Sequence, residues 1–142
     1  MSSAFSALGA DSTAAEVEAA LLAAPYHRWL GLRVHAFGPE GIELRATVAP
    51  EWLNNDEGGV VHGGIIAALL DIAADWALLS RGIAPSPTID QTVHYLRAAA
   101  GEELVVTGVV RKPGRAVSVA EATLTSDGRE VAVSRASYAT AG

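Results

Sequence analysis

The 142-residue chain contains no cysteine. That absence excludes disulfides, thiolate zinc sites, iron–sulfur clusters and cysteine nucleophiles together. Positive charge is scarce as well. Ten Lys and Arg stand against sixteen Asp and Glu, a formal net charge of −6. A nucleic-acid binder needs a basic footprint, which this chain as a whole lacks. No Gly-x-Ser-x-Gly segment occurs, so a hydrolase built on a nucleophile elbow is excluded. His27, His35 and His94 have no partner four residues away, and no metal site is expected. Residues 1–9 carry neither a basic n-region nor a long apolar h-region, and so do not read as a signal peptide.

What the chain does have is apolar bulk. Half of its residues are hydrophobic and 18% are charged, enough for one well-filled core and too little charge for a disordered segment. The length suits one domain. The most apolar stretch, Ile65 to Leu79, is interrupted by Asp71 and Asp75. A membrane span needs about 20 apolar residues with few charges, so a buried helix is expected here, with no membrane partner and a cytoplasmic address.

Residues 1–10 are expected to be a flexible N-terminus and 11–142 a single domain. The capping-box spacing Thr13-x-x-Glu16 predicts a helix over 12–24, stopped by Pro25. Gly38-Pro-Glu-Gly41 sits between two strand patterns and reads as a hairpin, and Ile42, Leu44, Ala46 and Val48 alternate with polar neighbours. A loop from Pro50 to Val61 leads into the apolar helix, expected over about 63–80 with Gly82 just past its end. Strands follow at 88–97, 102–112, 115–126 and 130–138, with Pro113-Gly114 and Asp127-Gly128 as turns. Strands joined by tight turns imply consecutive antiparallel pairing, and hence an α+β class. A helix apolar nearly all round must be covered on most sides. The economical solution is a curved antiparallel sheet of five to six strands wrapped around it, the hotdog fold.

The segment that carries chemistry is Gly59-Val-Val-His62-Gly63-Gly64, followed by Asp71 two turns into the helix. Glycines at a helix mouth let a ligand approach first-turn N–H groups that have no intrahelical partner. With the helix dipole behind them, these groups suit a developing oxyanion. A carboxylate in apolar surroundings costs several kcal/mol unless paired, so Asp71 calls for an explanation.

This constellation resembles the phenylacetate-degradation (PaaI-like) branch of the hotdog acyl-CoA thioesterases. The likeness extends to Thr88-Ile-Asp90, Tyr95-Leu-Arg97 and Gly114-Arg115, over roughly residues 28–140. It implies hydrolysis of an acyl-CoA thioester, with coenzyme A as part of the substrate and no separate cofactor. Asp71 would be general base or nucleophile, the Gly63 N–H would polarise the carbonyl, and Thr88 would orient the water. His62 sits beside them as a candidate acid or base, or as a group that fixes the turn. The family commonly has Asn six residues before that His. Here the position is Asp56, which cannot donate to an oxyanion unless protonated, and Asn55 just upstream is the candidate replacement. Gly64, Trp52, Arg97, Gly114 and Arg115 are the expected substrate contacts. Trp52 would line the acyl pocket, and Arg115 would meet the coenzyme A phosphates.

Spacing also bears on assembly. Gly63 and Asp71 lie about 12 Å apart along a helix axis and about 80° apart around it. One helix can hardly bring both groups to a single thioester, whereas two antiparallel helices can. The homodimer that the resemblance implies, paired further into a homotetramer, therefore also makes geometric sense. Plainer roles remain open: Asp71 paired to Arg97 or Arg33, Asp75 paired to an arginine or at a wet helix edge, the glycines as tight packing, and Trp29, Trp52 and Trp76 as core. Two other functions remain open too. One is a hotdog enoyl-CoA hydratase or dehydratase using His62 with Asp71. The other is a non-catalytic acyl-CoA-binding module.

Overall fold

The computed structural model describes residues 7–140. The flexible terminus expected for 1–10 lies mostly outside these residues. Of the part described, Gly9 and Ser12 close a turn, with Ser12 N–H on the Gly9 carbonyl and Gly9 N–H on Ser12 Oγ.

Helix α1 (Ala14–Leu21) begins where the Thr13 hydroxyl accepts the Glu16 N–H. It is shorter than expected because Pro25 opens a second helix, α2 (Pro25–Trp29), instead of only ending the first. The hairpin then forms from β1 (Arg33–Gly38) and β2 (Gly41–Thr47). Gly41, at φ 133, lets the β2 backbone pass against β4, where a Cβ would stand 2.0 Å from the Gly108 carbonyl oxygen. The apolar helix α3 (Gly63–Ala77) tightens into a 3-10 turn over Leu78–Arg81, which Gly82 closes in the left-handed conformation. Four strands follow: β3 (Thr88–Tyr95), β4 (Glu103–Lys112), β5 (Val117–Ser126) and β6 (Arg129–Ala139).

All pairings are antiparallel, in the order β1-β2-β4-β5-β6-β3. This corrects the expectation of strictly consecutive pairing. α3 lies across the sheet between β2 and β3, so the chain emerges at the far side and β3 joins the outer edge of β6. The next connection returns the chain to β2.

Small residues let α3 sit deep against the sheet. A Cβ on Gly108 would lie 2.1 Å from the Ala73 carbonyl oxygen, so helix backbone rests directly on β4. Ala120, Ala122, Ala132 and Ala136 on the sheet and Ala73, Ala74 and Ala77 on the helix are all buried there. By length and composition Gly63–Arg81 is long and apolar enough to cross a membrane. Here Leu69, Leu70, Leu78 and Leu79 belong to the core instead.

The two sheet edges differ. The β1 edge is capped by α1, whose Glu18 carboxylate accepts the Val34 N–H at 2.9 Å. The β3 edge has no neighbouring strand among the described residues, and Ile89 and Tyr95 on it are 56% and 53% exposed. An open edge of this length is a template for pairing with another strand.

Candidate active site

The site begins at the mouth of α3. His62 is the N-cap residue, and its Nδ1 accepts the Gly64 N–H at 3.0 Å. The His62 carbonyl takes the N–H groups of Ile65 and Ile66. Gly63 is therefore the one first-turn donor that has no hydrogen-bond acceptor among the described residues. Tyr95 walls this donor: its hydroxyl donates to the Gly63 carbonyl at 2.9 Å, and its ring lies 3.3 Å from where a Cβ would stand.

The preceding loop is tied to the same mouth. The His62 N–H bonds the Trp52 carbonyl, and the Asn54 side chain accepts the Val60 N–H. A Cβ on Gly59 would stand 2.1 Å from Asn54 Oδ1, so a larger residue there would displace the Asn54 side chain from the Val60 N–H. The Asn55 amide is used within the loop at both ends, donating to Asn54 Oδ1 and accepting from the Glu57 N–H. Asp56 is exposed beside it. Neither residue is among the groups bonded to Asp71.

Asp71 is half-buried and holds two hydroxyls. Thr88 Oγ1 lies 2.9 and 3.1 Å from its two carboxylate oxygens, and the Tyr138 hydroxyl donates to Oδ1 at 2.9 Å. Oδ1 thus carries both donors, and Oδ2 only the longer Thr88 contact. Tyr138 is fully buried; burial, then the Asp71 charge and the hydrogen bond to it, push the phenol above its usual range. It stays a donor at any ordinary pH. The arginines considered as structural partners are engaged elsewhere, Arg33 with Glu103 and Arg97 with the Glu130 carbonyl.

Asp75, one turn further along, is not paired to an arginine. Its Oδ1 accepts the Ser86 N–H at 2.7 Å. Burial pushes this carboxyl up to about 7; the Ser86 bond opposes the shift, and the Asp71 charge adds to it. A carboxyl whose folded pKa exceeds its unfolded value weakens the fold as pH rises from about 4 to 7, and the loss is complete above 7. Asp75→Asn should therefore raise unfolding stability at pH 8 by about 1–2 kcal/mol, after discounting for partial exposure, and by almost nothing at pH 4. Equal gains in denaturation midpoint at both pH values would contradict this origin.

Two further polar groups at the site carry no signal that was read from the sequence: Gln91 Nε2 donates to the Ala67 carbonyl, and Tyr138 bonds Asp71. Tyr95, named above only as part of the likeness, bonds Gly63. One signal for Tyr138 was available. It ends the inward row Ala132, Ser134, Ala136, and a buried tyrosine needs a partner for its hydroxyl.

The aromatic residues are arranged differently from expectation. Trp52 is 1% exposed and packs against Trp29 at 6.4 Å, so within one chain it belongs to the core and not to an open wall. Trp29, expected in the core, is 54% exposed and stacks on Tyr26. Gly114 closes its turn by donating to Ser118 Oγ, and a Cβ there would strike the Val117 carbonyl. Arg115 lines an open cleft of about 910 Å³ with Gly82, Ala84 and Thr140. Thr140 lies just beyond the end of β6, two residues past the Tyr138 whose hydroxyl bonds Asp71.

An antiparallel sheet curled around one apolar helix that opens on a glycine pair is the hotdog architecture of thioester hydrolases. The sequence profile of the thioesterase superfamily matches residues 58–133, more than half of the chain, and the chain belongs to that superfamily. Medium/long-chain acyl-CoA thioesterase YigI of Escherichia coli K12 is 29% identical over 115 residues, spanning 70% of this chain and 74% of YigI. Zebrafish thioesterase superfamily member 2 superposes with a TM-score of 0.79 at 28% identity, over 92% of this chain and 99% of that one. The E. coli PaaI protein from the phenylacetic acid degradation operon shares the fold, with a TM-score of 0.77 at 24% identity over 92% and 97% of the two chains.

Proposed function

We propose that this protein hydrolyses acyl-CoA thioesters to free acid and coenzyme A, at sites shared between two copies of the chain. The arrangement along β3 carries this reading. Thr88 meets Asp71, Gln91 meets Ala67, and Tyr95 meets Gly63, so β3 and α3 run antiparallel to each other. Pairing the open β3 edge with a second copy, about a two-fold axis near Gln91 and Thr92, sets the Thr88 end of one strand against the Tyr95 end of the other. Asp71 of one protomer then approaches Gly63 of its partner. The half-buried stripe Gly63, Ala67, Asp71 faces the mate, and its small residues allow close approach.

In this arrangement the partner's Gly63 N–H holds the thioester oxygen, and Asp71 with Thr88 orients a water. Asp71 takes one proton as the water oxygen bonds to the carbonyl carbon. The C–S bond breaks, its electron pair leaves with sulfur, and Asp71 returns the proton to the thiolate. The Arg115 cleft offers a cation to the phosphates of coenzyme A, and the likeness to YigI supports an acyl-CoA as the substrate class. What supports hydrolysis over hydration is that the His62 Nδ1 is bound to a helix amide and His62 is not bonded to Asp71.

The direct test is thiol release across short, medium, long and aromatic acyl-CoAs. Turnover of at least one is expected. Hydration of an enoyl-CoA without hydrolysis, or ligand-induced stabilisation without product, would overturn the proposal. Sharing is tested by mixing Asp71→Asn with Gly63→Pro subunits. Random pairing leaves one intact site in half of the dimers, so about a quarter of wild-type activity should return. No recovery in a proven heterodimer would sink the shared site. Light scattering reads the dimer, and the tetramer that we propose it forms.

A further inference from the structure

We infer that Asp75 is a positioning residue for the reaction: its carboxylate anchors the linker after α3 so that Thr88 arrives against Asp71. The linker Pro85-Ser86-Pro87 offers a single backbone N–H, because proline has none, and Asp75 takes it at 2.7 Å. Ser86 Oγ folds back onto the Ala84 carbonyl, and the Pro87 carbonyl accepts the Ala139 N–H. Thr88 comes next. Thr88 pairs with Tyr138 ahead of a register shift, since the pairing of β3 with β6 is irregular between Thr88 and Asp90. Two carboxylates one helical turn apart thus grip the linker at two points, Asp75 through Ser86 and Asp71 through Thr88. No other backbone N–H of residues 84–87 is bonded to α3. Burying a carboxylate opposes folding. The anchoring of Thr88 gives this carboxylate a use that stability does not.

The inference rests on Asp71 being the reacting carboxylate, and the experiment separates the two claims. Steady-state kinetics of the full chain are compared for Asp75→Ala, Asp75→Asn and Asp71→Asn on one acyl-CoA. Removing the anchor should lower kcat about tenfold with KM within about twofold, since Thr88 is misplaced while the substrate still binds. Asparagine keeps an acceptor oxygen and should recover most of that loss. Hydrogen exchange adds a readout independent of turnover: the Ser86 amide should exchange faster in Asp75→Ala than in the wild type or in Asp75→Asn. Wild-type kcat and an unchanged Ser86 amide in Asp75→Ala would overturn the inference. So would equal losses in the Ala and Asn variants, which would assign the effect to charge. Full activity in Asp71→Asn would instead overturn the reading of the site and leave the Ser86 exchange result to stand alone.

Discussion

Asp71→Asn should fold, bind acyl-CoA and turn it over about a thousandfold more slowly, near the middle of the range for a lost general base. The side chains have nearly the same shape, and the amide oxygen can still accept from Thr88 and Tyr138 as Oδ1 does now. The amide cannot take a proton from water. The loss should therefore fall on kcat, while the Kd of a non-hydrolysable thioester analogue changes little. Both hydroxyl donors sit on Oδ1 and only the 3.1 Å Thr88 contact on Oδ2, so the change acts where the water would be activated. Hydrolysis at the wild-type rate by this variant would remove Asp71 from the mechanism.

The second large effect is at the helix mouth. Gly63 is the first residue of α3, preceded by His62 at φ −59 and ψ 137. Proline is favoured at the first helical position, and that backbone suits a residue preceding proline. Gly63→Pro therefore removes the N–H that has no acceptor among the described residues and leaves the helix in place. Losing one preorganised donor to an oxyanion costs about 10²–10³ in kcat. Gly63→Ala is the matched control. It also sets a Cβ 3.3 Å from the Tyr95 ring, yet it keeps the N–H. A large loss in the proline variant with a small loss in the alanine variant assigns the effect to the donor. Equal losses would assign it to crowding against Tyr95.

The legible parts of the site are those with short-range causes. Gly63, Gly64 and Asp71 are visible because a glycine pair before an apolar helix, and a carboxylate inside one, are both unusual in a core. Asp75 was equally visible, but its partner was not. A backbone amide eleven residues away leaves no mark on the sequence pattern, and an arginine was the natural guess. Asn55 was a reasonable substitute for the missing asparagine by position alone. Its amide is nevertheless engaged by Asn54 and Glu57, a local hydrogen-bond preference of loops rich in Asn and Asp. Trp29 illustrates the opposite error: a large aromatic near a chain turn was assigned to the core, yet it lies stacked on Tyr26 at the surface.

By itself the amino-acid sequence determined the elements and their class. Alternation, helical periodicity and Gly/Pro punctuation act over a few residues, and they delimit a hairpin, a buried helix and a run of strands. The tertiary structure alone decided that β3 pairs with β6 at an open edge, that Tyr138 and Thr88 converge on Asp71, and that Ser86 falls to Asp75. Those contacts join residues from 11 to 67 positions apart. Their energies depend on which surfaces meet after the helix has settled on the sheet, and no local propensity encodes that.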